Sequence, residues 1–144
     1  MMPEAGSIAR TLGIKGGKSG ELSFGELNER VRGGLPYRSY TVVVEGFGIE
    51  RNQASRILHI PARTLARRKA RGRFGEEESD RLARLARVLA LAEEVLGDRA
   101  KATKWLQRRN RALAGDAPID LMDTDLGTEQ VEDVLTRIEY GVYD

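Results

Sequence analysis

The stretch that decides the fold of this chain is residues 58–68, LHIPARTLARR. Pro61 fits the first turn of a helix, because its missing amide hydrogen would be unpaired there anyway. Small and apolar residues precede it from residue 51, and a second helical pattern follows to about residue 70. The stretch therefore predicts two short helices joined by a tight turn, the helix-turn-helix arrangement. The side chains of Ile60 and Leu65 are expected to pack in the core between the two helices.

The predicted turn contains His59, the single histidine of the chain. Turns of this kind usually carry glycine, and histidine tolerates a left-handed backbone better than most residues do. We therefore interpret His59 as a structural residue of the turn. A catalytic or metal-binding role is disfavoured, because the chain has no second histidine and no cysteine to complete such a site.

Charge is strongly segregated along the chain. Residues 51–73 hold eight basic and no acidic residues, for a net charge of +8, whereas residues 112–144 hold nine acidic residues against Arg137 alone, for a net charge of −8. This pattern indicates two different partners, one region that folds back on the other, or simply solvated helix faces. DNA would suit the basic segment, since cations that neutralise phosphates release counterions. A basic or apolar protein surface would suit the acidic end.

The second helix of the predicted motif carries the candidate DNA-binding side chains. Arginine can bind guanine through two hydrogen bonds, and lysine or arginine can hold a phosphate. The alternative is that this basic face binds acidic residues of another protein. The candidate residues are Arg63, Thr64, Arg67, Arg68, Lys69 and Arg71.

The composition argues against an enzyme. Without cysteine, and with one histidine in 144 residues, the chain lacks thiolate nucleophiles, cysteine-bound zinc and a convincing Ser-His-Asp arrangement. Paired acids such as Asp120 and Asp123 suggest a small acid-base enzyme only weakly, because no other group converges on them. We predict no catalytic residue, no metal and no cofactor. No apolar run approaches the ~18 residues of a membrane span, and we expect a cytoplasmic protein.

Outward from the motif, helical patterns predict an all-α protein. Residues 1–20 contain five glycines and are predicted to be a flexible arm with at most one short helical turn around residues 8–12. The triplet at 17–19, Gly-Lys-Ser, lacks the glycine spacing and the preceding strand of a phosphate loop. Residues 21–74 are assigned to the helix-turn-helix region, with Ser23 and Glu26 as a capping box. Residues 41–44 have strand-like propensity, but apolar spacings over residues 37–47 favour a helix, and a helix is expected because no second strand is available.

Residues 75–144 are predicted to form a second helical domain. A long helix follows Gly75 and stops at Gly97, Asp98 caps the next helix, and a final helix covers residues 128–140. The single tryptophan, Trp105, is expected to anchor the core rather than to act as a stacking platform.

Spaced positions over roughly residues 50–144 resemble the antitoxins of the Xre/MbcA/ParS type, in particular those that accompany RES-domain toxins. The turn and second helix also resemble those of Xre and Cro-like DNA-binding proteins. Here His59 occupies the position of the turn glycine. The matching positions are Ile60-Pro61, Thr64-Leu65, Arg67-Arg68, Glu77-Glu78-Ser79-Asp80, Trp105-Leu106, Asn110, Leu113, Gly115, Pro118, Leu121, Thr124, Gly127, Val131, Leu135, Ile138 and Gly141-Val142.

The resemblance implies the antitoxin of a type II toxin-antitoxin pair. RES-family toxins consume NAD or transfer ADP-ribose from it, and their antitoxins cover the NAD-binding cleft. It also implies a homodimer that represses its own promoter by binding operator DNA. The blocking segment would be the final helix and tail, with Glu132, Glu139, Tyr140, Val142 and Tyr143 as contacts. The alternative is a free-standing helix-turn-helix regulator whose acidic end recruits other proteins.

Overall fold

The computed structural model describes residues 2–16 and 20–141. Over these ranges the chain forms eight α-helices and two short 3-10 helices without any strand, which confirms the all-α prediction. The α-helices are α1 (Ala5–Thr11), α2 (Phe24–Arg32), α3 (Tyr37–Gly46), α4 (Arg51–Leu58), α5 (Ala62–Arg71), α6 (Glu76–Leu96), α7 (Arg99–Gln107) and α8 (Asp125–Glu139), and the 3-10 helices are Arg111–Leu113 and Pro118–Leu121.

Helix α6 is the central element of the core. Leu82, Leu85 and Leu89 recur at spacings of three and four and are fully or almost fully buried. Helices α1, α2, α4, α7 and α8 all pack against α6. One hydrophobic core joins helices on both sides of residue 75. The packing therefore does not separate regions 21–74 and 75–144, and their division stays a prediction about function.

The N-terminal segment differs from the predicted flexible arm. Residues Ala5–Thr11 form α1, which packs against α6 and α2. Ile8 and Leu12, four residues apart, lie on one buried face, and Leu12 is fully buried. A helix of seven residues is not stable alone, so tertiary packing rather than local propensity holds it. Where at most one helical turn was expected, the structure has a packed helix over Ala5–Thr11, and the rejected phosphate loop at 17–19 lies outside the described residues.

The helices before the motif form as the sequence indicates. Ser23 and Glu26 make both hydrogen bonds of a capping box, each 3.1 Å long, at the start of α2. The strand-like run at 41–44 lies within α3. Tyr37 at the start of α3 stacks on Phe74, with ring centroids 5.7 Å apart. This contact and the hydrogen bond from the Leu35 amide to Ser79 Oγ, 2.7 Å long, attach α3 to the start of α6.

Within residues 2–16 and 20–141, no helix combines the length and the apolar character that crossing a membrane requires.

Candidate functional site

The turn between α4 and α5 has the geometry that the sequence predicts. His59 ends α4 with φ of 54° and ψ of 42°, in the left-handed region. The Ser55 hydroxyl donates to the Ile60 carbonyl at 2.8 Å, and Ile60 is almost completely buried. The helix-turn-helix is therefore anchored at its turn. Leu65 is only partly buried and packs against the edge of the core.

The His59 ring also makes a contact that the sequence did not predict. Its Nε2 lies 2.6 Å from the Asp123 carbonyl oxygen. Since a carbonyl oxygen only accepts, Nε2 must carry the proton in this hydrogen bond. Asp123 directly precedes Thr124, the N-cap residue of α8. The turn of the motif is thus bonded to the start of the last helix.

Helix α5 presents most of the predicted DNA-binding residues to solvent. None of its residues is buried. Arg63, Arg67, Lys69 and Arg71 are exposed, and none of them forms an ion pair with the residues described here. Thr64 is partly buried, and its hydroxyl oxygen accepts a hydrogen bond of 3.3 Å from Arg67. The helix therefore exposes four unneutralised cations, as a phosphate-binding surface requires.

Arg68 differs from the other cations of α5. Its Nε donates to Glu78 Oε1 at 2.7 Å, and the same oxygen accepts from the Gly75 amide at 2.8 Å at the start of α6. Burial alone raises the pKa of Glu78, but the hydrogen bonds from Arg68 and Gly75 outweigh it and lower the pKa below its ordinary value. The hydrogen bond to Glu78 likewise raises the pKa of Arg68. Arg68 thus joins α5 to α6, and its role toward DNA stays a prediction.

Part of the basic segment folds back on the acidic end. Arg56 Nη2 lies 2.7 Å from Asp120 Oδ1, and Arg56 Nη1 donates to the Asp120 carbonyl at 3.2 Å. Gln53 and Gln107 exchange amide hydrogen bonds of 3.0 and 3.2 Å, which attach α4 to the end of α7. The two charged segments are therefore in contact through α4, whereas no cation of α5 forms an ion pair with the acidic end in the described part of the chain.

Helix α8 has one buried and one exposed face. Thr124 caps it by accepting from the Gly127 amide at 3.0 Å. Val131 and Leu135 are fully buried against the core. On the opposite side Leu126 is 74% exposed and Tyr140, just after the helix, is 66% exposed. The exposed face, which we call the α8 face, consists of Leu126, Glu129, Gln130, Asp133 and Tyr140.

The predicted toxin contacts differ in their exposure and in their partners within the chain. Glu132 lies beside α6, where Arg87 binds both of its carboxylate oxygens at 2.8 and 3.1 Å. Glu139 is partly buried, and one of its oxygens is buried without a hydrogen-bond partner among the residues that the structure describes. Tyr140 lies on the α8 face. Val142 and Tyr143 lie outside the described residues.

Of the α8 face, sequence reasoning identified only Tyr140 and missed Leu126, Glu129, Gln130 and Asp133. The buried side chains of α8 include those at 131, 134 and 135. Leu126 lies five residues before Val131, a spacing that turns its side chain away from that buried face. The sequence signal for an exposed contact was a large apolar residue, Leu126, outside the buried face of the helix. Exposed apolar side chains among charges mark interaction sites when they group together.

The fold and these surfaces define a helix-turn-helix protein whose last helix exposes an acidic face. Residues 26–87 match the model of the antitoxin Xre-like helix-turn-helix domain. Residues 91–141 match the model of the antitoxin Xre/MbcA/ParS C-terminal toxin-binding domain. The division between the two matches falls inside α6, later than the predicted boundary at residue 75.

Curated relatives agree with both matches. Antitoxin Xre of Yersinia enterocolitica is 34% identical and the comparison covers 76% of this chain and 86% of that relative. Antitoxin Xre of Photorhabdus laumondii is 32% identical over 81% of this chain and 80% of the relative. Antitoxin Xre of Pseudomonas putida is 39% identical over 65% of this chain and 56% of the relative.

The chain belongs to the Xre antitoxin family. It combines the two parts of such an antitoxin, a helix-turn-helix domain and a toxin-binding domain. The family consists of non-enzymatic regulators, which confirms the prediction that the chain is not an enzyme.

Proposed function

We propose that this antitoxin neutralises a RES-domain toxin by covering its NAD-binding cleft with the α8 face and the residues after it. The observation that carries the proposal is the α8 face itself, on which Leu126 and Tyr140 flank the acidic residues Glu129 and Asp133. A cleft that holds the pyrophosphate of NAD is cationic, so an acidic helix is complementary to it. The resemblance to antitoxins of RES-domain toxins supports this choice of partner.

The contacts within the acidic end refine the proposed interface. Glu132 is engaged by Arg87, so we assign it the role of positioning α8 rather than that of contacting the toxin. Glu129 and Asp133 take the role of acidic contacts. Asp133 also pairs with Arg137 at 2.6 Å, an exposed contact that a partner can displace at little cost. Glu139, Tyr140, Val142 and Tyr143 remain proposed contacts at the end of the segment.

The second half of the proposal is autorepression. The exposed side chains Arg63, Arg67, Lys69 and Arg71 are proposed to bind operator DNA in the chain's own promoter, with Thr64 and Arg68 at the edge of this surface. A homodimer would place two copies of α5 on successive major grooves. Both partners of such a protein are inside the cell, which is why we propose a cytoplasmic location.

The first test identifies the toxin. A tagged full chain is used to capture its partner from the native host, and mass spectrometry is expected to identify a RES-domain protein. The free-standing regulator would instead recover operator DNA without such a protein. Truncation is avoided, because α8 supplies Val131 and Leu135 to the core and its removal would unfold the remainder.

The second test locates the interface. The captured toxin is assayed for NAD consumption against increasing amounts of antitoxin. We expect Glu129→Lys to weaken inhibition by about tenfold or more, because it places a cation against a cationic cleft. Glu94→Lys on α6 is the matched control, an exposed helical glutamate with the same charge change, and should inhibit like the unmodified chain. Equal inhibition by both variants would refute the α8 face as the blocking surface.

A further inference from the structure

A second basic segment lies outside the helix-turn-helix. Residues 99–111 contain six basic residues and no acidic one, and they form α7 and the first 3-10 helix. The segment falls inside the residues that match the toxin-binding domain. In that domain the surface proposed to bind the toxin, the α8 face, is acidic. Neither the blocking of a cationic cleft nor the reading of an operator by α5 accounts for these charges.

The cations of this segment form one exposed surface. Lys101 and Lys104, three residues apart, lie on one side of α7. Arg108, also exposed, follows directly after the last residue of the helix. Ala102 and Leu106 lie on the other side and are buried in the core. Arg109 and Arg111 continue the exposed cations beyond the end of the helix. We call these five basic residues the α7 surface.

The α7 surface is not neutralised from within the chain. Arg99, the sixth cation of the segment, is engaged, since its Nε lies 2.7 Å from Glu93 and its guanidinium lies 4.5 Å from the centre of the Phe47 ring. By contrast, none of the five cations of the α7 surface has a carboxylate within ion-pair distance among the residues that the structure describes. Like charges on one surface repel one another, and a bound external anion relieves that repulsion.

The position of the α7 surface indicates which anion. Gln107, the last residue of α7, is bonded to Gln53 of α4 by two amide contacts of 3.0 and 3.2 Å. In complexes of this motif the first helix crosses the DNA backbone while the second enters the major groove. The end of α7 is therefore attached to the helix along which phosphates pass. A toxin cleft that accepts the acidic α8 face is cationic, so it would repel this surface.

We propose that the α7 surface is a second DNA-binding surface, which holds the phosphate backbone beside the segment read by α5. It contacts phosphates only and so adds affinity without sequence preference. The proposal rests on the DNA-binding half of the proposed function, and its choice of DNA over the toxin also rests on the proposed cationic cleft. It assigns a DNA contact to the part of the chain that matches the toxin-binding domain.

The test measures how salt weakens binding to a mixed-sequence duplex of 30 base pairs, followed by fluorescence anisotropy of the labelled duplex. Each phosphate neutralised by a protein cation contributes about 0.9 to the slope of log affinity against log salt concentration. Lys101→Gln with Lys104→Gln should therefore reduce the slope by about 1.8. The matched control is Lys15→Gln with Arg30→Gln, which removes two exposed cations without ion pairs from the N-terminal part of the described chain.

Each outcome decides a different claim. A reduced slope in the Lys101 and Lys104 variant, with the control unchanged, supports the proposal. An unchanged slope in both variants overturns it and leaves DNA binding by α5 intact. A full chain that binds no duplex at all overturns the DNA-binding half of the proposed function together with the inference. Loss of toxin inhibition without a change in slope would assign the α7 surface to an acidic protein partner and would also overturn it.

Discussion

Replacing Glu132 by glutamine separates two roles for the acidic end. Sequence reasoning made Glu132 a toxin contact, whereas the structure engages both of its oxygens with Arg87, at 2.8 and 3.1 Å. Arg87 belongs to the segment that matches the helix-turn-helix domain, and Glu132 belongs to the toxin-binding domain. The ion pair therefore joins α6 to α8, and its loss should change stability before it changes recognition.

The magnitude follows from the burial of the pair. Hydrogen bonds to charged groups contribute roughly 1.5–3 kcal/mol, while fully exposed ion pairs contribute about 0–1 kcal/mol. The side chains of Arg87 and Glu132 are 29% and 22% exposed, so a value between these ranges applies. We expect Glu132→Gln to cost about 1.5 kcal/mol, which lowers Tm by about 5 °C for a chain of this length.

The assay is urea unfolding of four proteins, namely the unmodified chain, Glu132→Gln, Arg87→Gln and the double variant. The double-mutant cycle should give a coupling energy of about 1 kcal/mol, since each single change removes the same pair. Glu129→Gln serves as the control, because Glu129 is exposed and should change stability by less than about 0.5 kcal/mol. A coupling energy of zero, or a Glu132 variant that is fully stable yet fails to inhibit the toxin, would refute the positioning role.

Further expectations concern the starts of two helices. Gly127→Ala should cost more than ~2 kcal/mol of stability in thermal unfolding, because the added Cβ would lie 1.8 Å from the Leu121 carbonyl oxygen. Gly25→Ala is the control: the nearest atom to its added Cβ is the Ser23 hydroxyl oxygen at 3.8 Å, and this change should stabilise the chain by about 0.5 kcal/mol. Equal effects of the two substitutions would exclude the steric cause. Glu78→Ala should cost ~1–2 kcal/mol at pH 7 through its lost hydrogen bond to an amide. The lowered pKa of Glu78 means that this difference is constant down to about pH 5 and shrinks below pH 4.5; a difference that grows with acid would contradict it.

The local structure was predictable because its signals are local. The capping box at Ser23, the left-handed turn at His59 and the cap at Asp98 each depend on residues within four positions of one another. Helix α8 begins at Asp125, three residues before the predicted start. The cap at Thr124, rather than the apolar spacing, decides where the helix begins.

Other features could not be read from the sequence because they depend on distant partners. Helix α1 exists because α6 covers its apolar face, and its glycine-rich surroundings gave no sign of that. The charge map counted Arg56 and Arg68 with the free cations, yet both are bound to carboxylates, at Asp120 and Glu78. Net charge along a segment thus predicted that a basic surface exists, but only side-chain geometry could show which cations compose it.

The hydrogen bond from His59 to the Asp123 carbonyl bears on how the two halves of this antitoxin communicate. It lies between the turn that orients α5 and the residue just before the cap of α8. The neighbouring pair of Arg56 with Asp120 reinforces the same junction. In the proposed function, a displacement of α8 on toxin binding would reach the turn through these two contacts as well as through the core that α8 shares with α6. The proposed DNA-binding helix α5 and the proposed toxin-binding helix α8 are therefore connected at this junction in addition to the core.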